Sequence, residues 1–435
     1  MTARPTGLGG FLCHICDLKF GVLGLTSIKK GLLMKLLNSM MSGFVKVGQL
    51  TIVDADGKTH VHGPGGAPSA TIRIHDKALY RTLFLNPELR AGEAYMDGTL
   101  TVDGGIRDLL EVFAYNRDGL RKHPLQKTLK GWLKKIRRYH QRNKTSASRK
   151  NVQHHYDLSN EFYRLFLDED LQYSCGYWPR EGMTLEQAQL EKKAHIAAKL
   201  NLKAGDRVLD IGCGWGGMAI YLAQNYDVSV VGVTLSDEQH ALAVERVKAA
   251  GLMDKVDIRL QDYRHVNGPF NAVVSVGMFE HVGIAHYQEY FSKIRDVLTD
   301  DGCALVHSIG RKGGPGTTGA WIRKYIFPGG YSPALSETFA EIEKSQLWVT
   351  DCEILRLHYA ETLLEWDNRF QANKDTVIEM FDEKFARMWE FYLIVSEFSF
   401  RHGKHMNFQI QLSKTVSALP MARDYMVEGE RSLNA

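Results

Sequence analysis

No apolar run among the 435 residues approaches the roughly 18 that a bilayer span requires, so a transmembrane helix is not expected. The opening stretch, MTARPTGLGGFLCHICDLKF, lacks a long apolar core and a small-residue cleavage site. No secretory leader is therefore expected, and the chain reads as cytoplasmic. Cysteine is sparse: the six residues, at 13, 16, 175, 213, 303 and 352, have no framework spacing, which fits a reducing compartment. Cys13-x-x-Cys16 has no second pair and there is no H-E-x-x-H, so no metal site is expected. Acid is nearly missing from one stretch. From Arg117 to Lys150, thirteen Lys/Arg stand against a single acid, Asp118, and this local +12 leaves −8 for the rest of a chain whose net charge is +4. One face should seek anions.

What is present is organised around Arg207 to Gly217, RVLDIGCGWGG. The apolar run Val208 to Ile211 ends in a cluster of glycines and is followed by a helical pattern from Met218. Strand, glycine turn and helix bring backbone N–H groups close to a polar or anionic ligand. Gly212-x-Gly214-x-x-Gly217 also fits a dinucleotide fingerprint, so a nicotinamide cofactor competes. Two details oppose it. Asp210 at the strand end can meet a positively charged ligand, and the second strand tip, Gly232 to Ser236, lacks the acid that would hold a nicotinamide ribose. An adenosyl ligand with an amino-acid tail suits these residues better, and the D-x-G-x-G pattern resembles the first motif of S-adenosylmethionine-dependent methyltransferases.

Ahead of this turn, residues 28–44 carry apolar side chains at helical spacing, and 48–63 and 70–74 read as strands with an Asp56-Gly57 turn, giving a small α+β unit. The apolar face of 28–44, if exposed, leaves a homodimer open. Leu125, Leu129, Trp132, Leu133 and Ile136 form one stripe of a helix whose remainder is basic, the pattern of a segment on an anionic phospholipid surface. A solvated basic face stays open. No nucleic-acid-binding module surrounds it, so nucleic acid is not an expected partner. The expected division is an N-terminal domain over 1–140, a linker over 141–152, a catalytic domain over 153–415 and a poorly ordered tail over 416–435. Short β-rich runs at 208–211, 228–233, 256–260, 272–276, 304–309, 349–357 and 406–413 alternate with helical patterns at 217–226, 236–250, 286–298, 360–372 and 376–400. This predicts an α/β fold with a Rossmann-like, seven-stranded sheet and its ligand at the carboxyl strand ends.

Thr234, Leu235, Ser236 and Gln239 follow the second strand, where hydroxyl and amide groups suit a ribose; Asp262 and Tyr263 follow the third and suit an adenine. Glu280 and His307 follow the fourth and fifth strands and can converge on one crevice. HHYDLSNEFY (154–163), QYSCGYW (172–178), VLDIGCGWGG (208–217), VSVGMFEHVG (274–283), HSIG (307–310), WIRKYIFPGG (321–330) and HYAETLLEW (358–366) together resemble the cyclopropane-fatty-acyl-phospholipid synthases. The resemblance covers about 90 to 415. It implies methylene transfer from S-adenosylmethionine to the cis double bond of unsaturated acyl chains in phospholipids at a membrane surface. It also implies a bicarbonate site at Cys175, Glu280, His307, Ile309 and Tyr359, and donor contacts at Tyr173, Ser174, Gly212, Gly214, Thr234, Leu235, Gln239, Asp262 and Tyr263. Methyl-branched or methylene products, small-molecule N-methylation and a non-catalytic lipid-binding role are the rival readings.

Overall fold

The computed structural model describes residues 30–116 and 158–433, which fall in two compact units, Met1–Leu120 and Arg121–Ala435. The basic helix expected near 125–138, the 141–152 linker and the Cys13/Cys16 pair lie outside the described residues.

In the first unit, α1 (Lys30–Phe44) precedes β1 (Gly48–Val53), β2 (Thr59–Gly65) and β3 (Ser69–Ile74). There follow α2 (Leu79–Leu85), α3 (Pro87–Met96), β4 (Leu100–Asp103) and α4 (Ile106–Tyr115). The sheet order is β2-β1-β3-β4, with β1 and β3 parallel. Leu33, Leu37, Met41 and Phe44 line one stripe of α1 and are buried inside this unit, where Phe44 meets Phe113 with ring centroids 4.9 Å apart. Of the apolar face whose exposure would leave a homodimer open, Leu33, Leu37, Met41 and Phe44 are thus covered by the unit's own core, while Leu36 and Met40 stay half-buried.

The second unit is α5 (Asn160–Arg164), α6 (Leu185–Leu200), β5 (Arg207–Ile211), α7 (Gly217–Asn225), β6 (Ser229–Thr234), α8 (Asp237–Ala249), β7 (Val256–Leu260), β8 (Phe270–Val276) and α9 (Tyr287–Val297). It continues with β9 (Leu298–Arg311), α10 (Ala320–Tyr325), α11 (Leu335–Lys344), β10 (Trp348–Leu355), α12 (His358–Ala372), α13 (Lys374–Met380), α14 (Glu383–Arg401), β11 (His405–Ser413) and α15 (Asp424–Leu433). The seven strands run β10-β11-β9-β8-β5-β6-β7. β5 to β9 are parallel, and β11 slots in antiparallel between β9 and β10. The direction of winding reverses between β5 and β8, and such a switch point opens a crevice at the carboxyl strand ends.

The central strands β5, β6 and β8 are buried on both faces, which explains their near-continuous Val, Ile and Leu runs. Leu209, Ile211 and Val306 pack towards Tyr287, Tyr290 and Phe291 of α9, while Val208 and Leu305 pack with Ala194 and Ala197 of α6 and Ala219 of α7. Strand alternation therefore directs Asp210 and His307 to the α6 face. Thr184 starts α6 with a reciprocal capping box to Gln187.

Two expectations need correction. The helix expected over 376–400 is broken between α13 and α14, because Asp382 caps a new helix by accepting from the Phe385 N–H at 2.6 Å. The tail expected to be poorly ordered instead carries α15, which packs on α6 and pairs Glu430 with the buried His195. Among the described residues, no helix is long and apolar enough to cross a membrane.

Candidate active site

The glycine turn between β5 and α7 forms one wall of a cavity of about 160 Å3 at the switch point. Gly212 and Gly214 have φ of 81° and 55°, backbone that glycine adopts without strain. At Gly217 a Cβ would come within 2.2 Å of Gln172 Nε2 and 2.5 Å of Asp170 Oδ2, so a larger residue would have to displace those two side chains. Those two neighbours belong to the segment that presents Tyr173 and Ser174 to the same cavity. Asp170 is held by Lys193 at 2.5 Å and by Arg246, and the fully buried Lys192 donates to Gln172 Oε1 at 2.5 Å and Ser174 Oγ at 2.9 Å.

Asp210, Gly212, Gly214, Thr234, Leu235, Gln239, Asp262 and Tyr263 join Tyr173 and Ser174 in the lining. Ser236 does not. Its hydroxyl caps α8 by accepting from the Gln239 N–H at 3.3 Å. Asp262 pairs with Arg264 at 2.6 Å; burial opposes its ionisation, but the guanidinium more than offsets this and keeps the carboxyl below its usual range. Asp210 has no such partner. Its Oδ2 is buried with no hydrogen bond, and burial, opposed only by Lys192, pushes its carboxyl up to about 7. A buried carboxylate without a counterion is costly, and a cationic group in the cavity would relieve it. That orphan oxygen and the glycine cradle fit an amino-acid ammonium beside a nucleoside.

The second group of residues is buried deeper. Glu280, in the turn after β8, accepts from the Ile309 N–H of β9 at 2.6 Å through Oε1, while Oε2 is buried without a partner. Burial pushes this carboxyl up to about 7 against the opposing pull of the Ile309 N–H, its own backbone N–H and the nearby Ser308 hydroxyl. His307 is 1% exposed, with its ring nitrogens 2.9 Å from Asn407 Nδ2 and 3.1 Å from Gln409 Nε2 of β11. Cys175 is fully buried, which raises its thiol pKa, and the next residue, Gly176, donates to Thr362 of α12 at 3.0 Å. Tyr359 lies one turn earlier on α12, buried against Trp366 and Phe400. Tyr173 stacks on Trp366 at 5.1 Å, and its hydroxyl meets that of Tyr392 at 2.9 Å. The structure thus joins Glu280 to Ile309 directly and links the Cys175 segment to the helix of Tyr359 through Thr362.

Sequence reasoning missed Lys192, Lys199, Asn407 and Gln409. The visible signal was Asn407-x-Gln409-x-Gln411 inside a run with apolar residues between, which puts amides on one buried face of a strand.

A family model described as mycolic acid cyclopropane synthetase matches residues 143–410, and one for a domain of unknown function matches 33–123. The cyclopropane-fatty-acyl-phospholipid synthase of Escherichia coli K12 is 38% identical over 360 residues, 82% of this chain and 92% of that one. A Pseudomonas putida protein named "Probable fatty acid methyltransferase" is 39% identical over 347 residues, 78% of this chain and 86% of its own. Among solved structures, the cyclopropane synthase MmaA2 of Mycobacterium tuberculosis superposes with a TM-score of 0.59 at 33% identity, covering 61% of this chain and 98% of that one. The chain belongs to the cyclopropane synthase family of S-adenosylmethionine-dependent methyltransferases.

Proposed function

We propose that this protein adds a methylene group from S-adenosylmethionine to the cis double bond of unsaturated phospholipid acyl chains, forming cyclopropane fatty acids. The observation that carries the reading is a pair of buried carboxylates, each with an unpartnered oxygen among the described residues: Asp210 near the carboxyl end of β5, and Glu280 in the turn after the adjacent strand β8. Asp210 suits the ammonium of the donor's amino-acid tail. Ser174, Tyr173 and the N–H groups of the glycine turn suit its carboxylate. The donor supplies an electrophilic sulfonium methyl.

An alkene is a weak nucleophile, so the cleft must align it with that methyl and exclude water. Burial of Cys175, Glu280, His307 and Tyr359 supports a dry site. The faces of Tyr173, Trp366 and Tyr359 favour the positive charge left on the acyl chain. Glu280 Oε2 fits the O–H of a bicarbonate, and with Tyr359 and the Cys175 segment it would hold that anion. Bicarbonate supplies a base for the proton released as the ring closes. His307, flanked by Asn407 and Gln409, steadies the strand that carries Ile309. No protein nucleophile is required.

Likeness to the E. coli synthase over both units supports a phospholipid substrate. Likeness to the P. putida protein favours a second reading, a methyl-branched unsaturated chain formed when the same cation loses its proton from a neighbouring chain carbon. Incubation with S-adenosylmethionine and monounsaturated phospholipid vesicles separates them by acyl mass and proton NMR. Cyclopropanation adds one CH2, removes vinyl protons and creates ring protons. A methyl signal without ring protons supports the branch, and unchanged acyl chains with a methylated headgroup or amine contradict both.

The basic stretch supports association with anionic membrane surfaces. Replacing Lys134, Lys135, Arg137 and Arg138 by Gln is expected to weaken sedimentation with anionic vesicles, each charge contributing about 1 kcal/mol. Unchanged sedimentation would assign that stretch to a solvated face.

A further inference from the structure

β11 lies beside β9 with Asn407, Gln409 and Gln411 on one face and Phe408, Ile410 and Leu412 on the other. All three amides are buried, and the first two bracket the His307 ring. A neutral imidazole offers one donor and one acceptor, so it cannot accept from two amide N–H groups. Burial, reinforced by the Lys192 and Lys199 ammonium groups, keeps the ring neutral by lowering its pKa to about 3. One amide must therefore face the other way.

Lys199 decides which. Its ammonium donates to Gln409 Oε1 at 2.7 Å, and reversing that amide would set N–H groups against one another. Lys199 is itself anchored by Glu353, which also accepts from His195 at 2.6 Å. Asn407 Oδ1, in contrast, is buried with no donor, so turning that amide over forfeits nothing at the oxygen. We infer that Lys199 and Gln409 are positioning residues that fix His307 as the Nε2–H tautomer, with Nδ1 accepting from Gln409 and Nε2–H donating to Asn407 Oδ1.

The ring then has no free lone pair and cannot take the proton lost at ring closure. That role stays with the group held at Glu280. The inference rests on His307 belonging to the proposed cleft, but it is measured without turnover.

In protein labelled with 15N-histidine, the His307 signals are assigned by their loss in His307→Gln. Two-bond proton–nitrogen correlations near neutral pH are expected to show the Nε2–H pattern. An Nδ1–H or imidazolium pattern overturns the inference. Gln409→Glu keeps the bond from Lys199 but turns an acceptor towards Nδ1. It is expected to move the proton to Nδ1 and lower kcat roughly ten- to a hundredfold, with KM for S-adenosylmethionine within about twofold.

Should Gln409→Glu fail to fold, Lys199→Met is expected to give a tautomer mixture that Lys199→Arg corrects. A pure Nε2–H spectrum in either folded variant, Gln409→Glu or Lys199→Met, overturns the lock. An intact Nε2–H spectrum in wild-type protein that leaves acyl chains unmodified would fault the proposed reaction and still support the tautomer.

Discussion

Glu280→Gln is expected to lower product formation by about two to four orders of magnitude while leaving S-adenosylmethionine affinity within about twofold. The substitution preserves shape and an acceptor for the Ile309 N–H, which Glu280 now engages at 2.6 Å. What it removes is the second carboxylate oxygen, buried with no partner and available to a group inside the cleft. An amide there donates instead of accepting. Burial raises this carboxyl to about 7, so the wild-type rate should fall as pH drops through that region and the carboxylate is neutralised. Steady-state rates across pH, with isothermal titration of the donor, check both statements. Full activity in the Gln variant removes the proposed base site.

Asp210→Asn is expected to raise the Kd for S-adenosylmethionine about ten- to a hundredfold, the size of a lost charge-assisted hydrogen bond. The same change should act in the opposite direction on the free protein. An ordinary carboxyl here would titrate at 3.8, and burial raises it to about 7, so the unfolded chain gives up its proton first. Between those values the unfolded state binds fewer protons, and the ligand-free protein loses stability as pH rises. Above about 7 the cost is fully present, and below about 4 it is absent. Asp210→Asn removes this liability, so near neutral pH the ligand-free variant should melt at or above the wild-type temperature despite weaker binding. A variant that binds normally, or binds weakly because it is broadly destabilised, contradicts the assignment.

The glycine turn and the strand and helix on either side of it were legible because glycine spacing and apolar runs are local signals. The late strand was legible as well, since 406–413 alternates cleanly, but its antiparallel place between β9 and β10 was not. Asp382 was a readable helix start that the longer apolar periodicity of 376–400 concealed. Lys192 and Lys199 were not legible. In sequence, a lysine on a helix is most simply a solvated residue, and burial is permitted here only by partners far along the chain, Gln172 and Ser174 for one, Glu353 and Gln409 for the other. The order in α15 was hidden for the same reason: its anchor is the pairing of Glu430 with His195, more than 200 residues earlier.

Within the site, Asp210 and Glu280 could be placed at strand ends from sequence, whereas His307, expected after the fifth strand, lies inside β9, which runs on to Arg311 beside β11; the protonation of none of the three could be read. That depends on which oxygen or nitrogen finds a partner, and β11 supplies those partners for His307 while no described residue does so for Glu280 Oε2. Ser236 shows the converse. A hydroxyl at the right strand tip suited a ribose by type, yet a helix N-terminus claims it first.

The claim at the centre is that the transferred methyl loses one proton inside the cleft as the ring closes. S-adenosylmethionine bearing a fully deuterated methyl, incubated with monounsaturated phospholipid vesicles, tests this directly through the mass and deuterium NMR of the acyl product. The account predicts a cyclopropane carrying two of the three deuterons. A product that retains all three on an intact methyl group would contradict it.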